Sequence, residues 1–112
     1  MQNPLSIITF TAGAIFILAG IILRLFPPKK INYLYGYRTR TSMKSQQHWD
    51  FSQRYAANKM ITGGFVMLLI AAVGLYIPVL DDVLSLILGL GSMIVIVIWL
   101  FIKTERAIKK RF

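Results

Sequence analysis

Cysteine is absent from this 112-residue chain, which rules out a disulfide framework and any thiolate metal site and leaves the redox compartment unread. Acid is scarce as well: four Asp and Glu stand against thirteen Lys and Arg, and there is one histidine. None of the acids, nor the histidine, falls in the middle of an apolar run. Proton relays and ion pathways place such groups at membrane depth, so a coupled transporter is disfavoured.

What the chain has instead is apolar residues, 56% of the total, with a mean hydropathy of +0.63. Ordinary soluble domains hold about 45–50%. The apolar residues form blocks at about 5–26, 60–80 and 83–102, each near the roughly 20 residues that cross about 30 Å of hydrocarbon at 1.5 Å per residue. The expectation is an all-α membrane protein in one domain, residues 1–112. It would have three transmembrane helices, an interfacial loop and helix over 27–59, and a tail over 103–112.

The net charge of +9 invites a nucleic-acid reading, but its distribution argues against one. Arg24, Lys29, Lys30, Arg38, Arg40, Lys44, Arg54 and Lys59 flank or fill the first loop, and Lys103, Arg106, Lys109, Lys110 and Arg111 follow the last span. Residues 1–4 carry no basic side chain, and the second loop holds Asp81 and Asp82. The positive-inside rule then puts the N-terminus outside, with the first loop and the C-terminus in the cytoplasm, in a multi-pass cell-membrane protein. Membrane lipids are the first expected partner, with anionic head groups facing the basic segments.

The first span does not read as a cleaved signal, because residues 1–4 lack a basic n-region, the apolar run is long, and Pro27-Pro28 stands where cleavage would fall. Arg24 near its inner end can snorkel to the head groups. The two prolines stop the helix. A glycine turn among tyrosines follows, and Thr41 or Ser42 can cap a helix over 43–59 that is free to run directly into the second span. Asp50 and Arg54 sit four apart on it in the favourable order. Trp49, Ala56 and Met60 share one face and Phe51 and Tyr55 another, which suits a segment wedged between head groups and protein better than a simple surface helix. The second and third spans form a tight hairpin through Asp81-Asp82, with Pro78 near the outer end of the second. Ala12, Ala19, Gly64, Ala71, Ser85, Gly89 and Ser92 permit close helix approach, within the chain or in a homo-oligomer.

Enzyme chemistry finds little support. His48 and Asp50 lack a third partner and a nucleophile, and a lone loop histidine is ordinarily solvated. Metal-ligand spacing is missing, and Gly63-Gly64 lies inside an apolar span rather than after a strand. No cofactor is expected. The notable constellation is Asn32, Tyr35, Gly36, Tyr37, Arg38, Thr39, Ser42 and Trp49. Its groups suit either internal bracing through mutual hydrogen bonds or a surface that presents an arginine to an anionic or carbonyl partner.

The run Pro28-x-x-Ile31-Asn32-x-x-Tyr35-Gly36-Tyr37-Arg38-Thr39, followed by Ser42 and Trp49, resembles the SdpI family of bacterial membrane immunity proteins, in its short, YfhL-like form. Arg40 stands where many members carry proline. The resemblance implies protection against a membrane-active peptide toxin by binding it. It also implies, as an alternative, a signalling anchor that recruits a soluble cytoplasmic regulator, here through the basic loop and tail.

Overall fold

A computed structural model describes residues 4–76 and 81–112. They form three helices, α1 (Pro4–Leu25), α2 (Gln46–Gly74) and α3 (Asp82–Arg111), and no strand occurs among the described residues. All three are long and apolar enough to cross a membrane. The fold is therefore an all-α membrane protein with three spans.

Most helix ends among the described residues have a local cause. Pro27 and Pro28 end α1, since proline supplies no amide donor and clashes with the preceding turn. Asp81 caps α3 by accepting from the Leu84 N–H at 2.7 Å, and Lys109, Lys110 and Arg111 complement the dipole in its last turn. At the start of α2 the structure corrects the expected cap. The N-cap is Ser45, whose Oγ accepts from the His48 N–H at 3.1 Å, and the helix begins at Gln46 rather than 43. Ser42 cannot cap because its hydroxyl is already engaged with Thr39 and Tyr37, and residues 41–43 turn instead of winding into helix. The interfacial helix and second span are one unbroken helix. That helix ends at Gly74, short of the expected 80, while Pro78 and the tip of the hairpin lie outside the described residues.

The packing is inverted relative to a soluble bundle. Phe10, Leu18, Phe65, Leu69, Val95 and Ile98 are exposed, whereas Ser6, Thr9 and Ser85 are buried. Thr9 Oγ1 donates to the Leu5 carbonyl at 2.7 Å, and Ser6 Oγ crosses to the Ala71 carbonyl at 2.9 Å. Lipid can accept the apolar exterior, and the interior hides the hydroxyls.

α1 packs most extensively on α2. The closest approach is Gly13 on Gly64: a Cβ on either would lie 2.7 Å from the other's carbonyl oxygen. Only glycine permits that distance, and without a hydrophobic drive between helices in lipid, such backbone contact is a main source of attraction. Gly64 and Ala71 thus belong to the interface as expected, together with Gly13. Ala19 is only half-buried, and Ser92 Oγ bonds back to its own helix at Leu88 O, 2.7 Å. The second and third helices, expected as a tight hairpin, make the least extensive contact of the three pairs.

At 29 and 30 residues, α2 and α3 are about 45 Å long against a hydrocarbon core of about 30 Å. Their surplus stands at one end of the bundle. The loop between α1 and α2 folds onto that surplus.

Candidate functional site

The loop begins by closing the end of α1. The Tyr35 hydroxyl donates to the Phe26 carbonyl at 2.7 Å, taking up one of the acceptors that a helix leaves unpaired at its C-terminus. Asn32 makes this reach possible, because its Oδ1 accepts from the Leu34 and Tyr35 N–H groups at 2.9 and 2.8 Å in a side-chain turn.

Gly36 follows with φ of 102°, a region that favours glycine. Space demands glycine as well: a Cβ there would lie 2.5 Å from Gln53 Oε1 and 2.7 Å from Pro28 Cγ. The bend delivers Tyr37 to α2. Gln53 Oε1 accepts from the Tyr37 N–H at 2.6 Å, and Gln53 Nε2 donates to the Tyr37 carbonyl at 2.8 Å. One buried side-chain amide thereby satisfies both backbone groups of a buried loop residue, as a neighbouring strand would.

Past Tyr37 the chain turns on Ser42 and Thr39. Ser42 Oγ accepts from the Thr39 N–H at 2.8 Å, and Thr39 Oγ1 accepts from the Ser42 N–H at 3.1 Å. The loop then reaches α3 through a single carboxylate. Tyr37 Oη and Thr39 Oγ1 both donate to Glu105 Oε2, at 2.8 and 2.9 Å. Burial pushes the Tyr37 phenol well above its usual range, and the hydrogen bond and negative charge of Glu105 push it further. The hydroxyl therefore stays protonated and able to donate. The Tyr37 ring also lies 5.4 Å from that of Phe101 on α3.

Trp49 lies beneath this loop, fully buried, with Nε1 donating to the Pro28 carbonyl at 2.7 Å. Gln46 Nε2 reaches the Lys29 carbonyl at 2.6 Å, and Arg24 donates to Asn58 Oδ1, so the end of α1 and the start of the loop are tied to α2. Arg24 is thus an interhelical donor rather than a side chain that only snorkels.

Seven of the eight residues of the constellation, Asn32, Tyr35, Gly36, Tyr37, Thr39, Ser42 and Trp49, come together in this network. Arg38 does not: it is exposed and has no hydrogen bond or ion pair among the described residues. Asp50 bonds Gln46 Nε2 at 2.7 Å, and no ion pair with Arg54 forms among the described residues. His48 is not a solvated loop side chain. It sits in the first turn of α2, shares a 2.6 Å hydrogen bond with Ser45 Oγ, and stacks on Phe112 at 4.2 Å.

Gln53 and Glu105 belong to the network although the sequence pattern does not single them out. Gln53 follows Trp49 by four residues and precedes Ala57 by four, a polar side chain in the middle of a buried face. Glu105 is the one acid in a strongly basic segment. Each is visible as an exception to its surroundings, and that is the signal that could have found it.

Apolar helices with their hydroxyls turned inward, surmounted by a loop whose polar groups close on one another, define a small polytopic helical membrane protein. The profile of the SdpI/YfhL protein family matches residues 29–103, from the start of the loop into α3. The chain belongs to that family. A relative from Bacillus subtilis (strain 168), the uncharacterized protein YfhL, is 42% identical over 97 residues, covering 87% of this chain and 82% of its own. No solved structure matches the chain significantly.

Proposed function

We propose that this protein is a membrane immunity protein that protects the cell from a membrane-active peptide by binding it. Family membership supports the class of activity. The observation that carries the binding mode is an apolar groove of about 540 Å³ between α1 and α2, lined by Ile7, Phe10, Thr11, Leu68, Ala72 and Leu75. It lies at the end of the bundle remote from the loop. By the positive-inside rule that end faces outward, where a secreted peptide first meets the membrane. In this reading the groove receives an apolar segment of the peptide, and the braced loop holds the helix ends in register.

Expression in cells killed by the cognate peptide tests the reading, with membrane levels verified. Survival is expected to rise, and to fall back when Ala72→Phe fills the groove; no gain in survival from the native chain would sink the proposal. Orientation is tested separately in this cysteine-free background, by labelling single cysteines introduced at Lys30 and Asp82 from either side. Label reaching Lys30 from outside would reverse the assignment.

A second reading is favoured by Arg38, the one constellation residue left outside the hydrogen-bond network among the described residues, exposed and close in sequence to the exposed Arg40 and Lys44. These cations suit a signalling anchor that recruits a soluble acidic regulator. Charge reversal at Arg38 and Arg40 would then abolish recruitment while leaving protection intact, whereas loss of both together would assign Arg38 to immunity itself.

A further inference from the structure

Phe51 and Tyr55 lie on the face of α2 turned away from Trp49 and Gln53, and their rings stack at 5.7 Å. Opposite them, α3 presents Lys103, Arg106, Lys110 and Arg111 at helical spacing on one face. These six residues line a cleft of about 650 Å³ between the two helices. The macrodipole accounts for the sign of the last turn, but Lys103 and Arg106 lie before it.

No carboxylate lines this cleft. Glu105, although adjacent in sequence to Arg106, is engaged by Tyr37 and Thr39, and Asp50 accepts from Gln46. The Arg111 guanidinium sits 5.2 Å from the Phe51 ring centre, an aromatic partner rather than a counter-charge. Lys59 extends the cationic surface towards the membrane, its Nζ 5.3 Å from the Tyr55 ring and 5.8 Å from that of Trp99.

Depth identifies what the cations face. The apolar run of α3 ends at Ile102, so Lys103 stands where hydrocarbon gives way to head groups, beside a tryptophan of the kind that gathers at that level. The exposed Val95 and Ile102 continue the same helical face below the cleft. Cations flanked by aromatics above and an apolar strip beneath match the order of head group and acyl chain in a phospholipid.

We propose that the α2–α3 cleft is a binding site for an anionic glycerophospholipid, with the phosphate among Lys103, Arg106, Lys110 and Arg111 and an acyl chain along the apolar face below Lys103. An acidic peptide from solution would use the charges and leave that strip without a role. The site lies at the opposite end of the bundle from the apolar α1–α2 groove and does not depend on what that groove binds.

Native mass spectrometry of the full chain, exchanged into a detergent carrying phosphatidylglycerol, phosphatidylcholine or glycerol phosphate, tests the proposal. Phosphatidylglycerol is expected to be retained and the other two are not. At about 1 kcal/mol per cation near a lipid surface, Lys103→Gln with Arg106→Gln should weaken retention about 30-fold. Lys29→Gln with Lys30→Gln removes equal charge elsewhere and should leave it unchanged. Equal retention of phosphatidylcholine, equal retention of glycerol phosphate, or equal loss in both double variants would overturn the site. An assay on the native chain guards against misfolded variants: phosphatidylglycerol with a photoactivatable group near its glycerol should label the Phe51–Tyr55 and 103–111 segments. Labelling spread evenly over all basic segments would also overturn it.

Discussion

The side-chain amide of Gln53 pairs with both backbone groups of Tyr37, accepting from its N–H at 2.6 Å and donating to its carbonyl at 2.8 Å. Both residues are buried, so water cannot substitute for either bond. A loop that reads as a connector is thereby held by α2 in one register. The consequences can be measured.

Truncation at Gln53 leaves the buried Tyr37 N–H unsatisfied and leaves the Tyr37 carbonyl with only the Ser42 hydroxyl, at 3.2 Å. Gln53→Ala is expected to cost about 1–3 kcal/mol, by the usual penalty for an orphaned polar group. Gln53→Glu keeps an acceptor for the N–H but sets a carboxylate oxygen against the Tyr37 carbonyl, and should destabilise comparably. Thermal unfolding in detergent and hydrogen exchange at the Tyr37 amide report both; an amide still protected in Gln53→Ala would show that the pairing does not hold the loop.

Gly36→Ala tests the bend itself. The positive φ alone costs a side chain about 1–3 kcal/mol, and the added Cβ would meet Gln53 Oε1 at 2.5 Å. The variant is expected to melt lower than the native protein and to lose the Gln53–Tyr37 pairing. A fully native melting curve would contradict this geometry.

The pH dependence follows from Tyr37. Its folded-state pKa is raised by burial and by Glu105, above the unfolded value of about 10. Its contribution is fully present below that unfolded value and is lost as pH rises beyond it, because the unfolded chain then gives up a proton that the folded chain keeps. Stability of the native protein should fall more steeply above pH 10 than that of Tyr37→Phe. Parallel curves for the two would remove Tyr37 as the source.

Helix association includes a close backbone crossing at Gly13 and Gly64. Gly64→Ala places a methyl 2.5 Å from Ile17 Cγ1 and 2.7 Å from the Gly13 carbonyl, and should destabilise by about 1–3 kcal/mol through overpacking. Gly91→Ala meets nothing within 4 Å and serves as the matched control, expected to be neutral or slightly stabilising through helix propensity. Equal behaviour of the two would show that the crossing tolerates separation.

Much of the loop's membership is legible in the order of its residues. Asn32, Gly36, Ser42 and Trp49 are residue types with local specialities (turn formation, positive φ, hydroxyl bridging and large buried area), and they stand together in a short run. Their partners are not legible in the same way. The cap moves from Ser42 to Ser45 because a hydroxyl that could serve either the helix or the loop serves the loop, a choice that local sequence leaves degenerate. Arg38, a member of the same run, is exposed and stays outside the hydrogen-bond network among the described residues.

The sequence by itself determined the three spans, the break at Pro27-Pro28 and the alternation of charge. Each depends on a run of adjacent residues and on a membrane of fixed thickness. Only the tertiary structure decided that Gln53 would serve Tyr37 across 16 residues and that Glu105 would hold it across 68. A buried backbone group needs a partner, but which partner it finds depends on how the helices cross. Between α1 and α2 that crossing brings the backbones of Gly13 and Gly64 together, in a different part of the bundle.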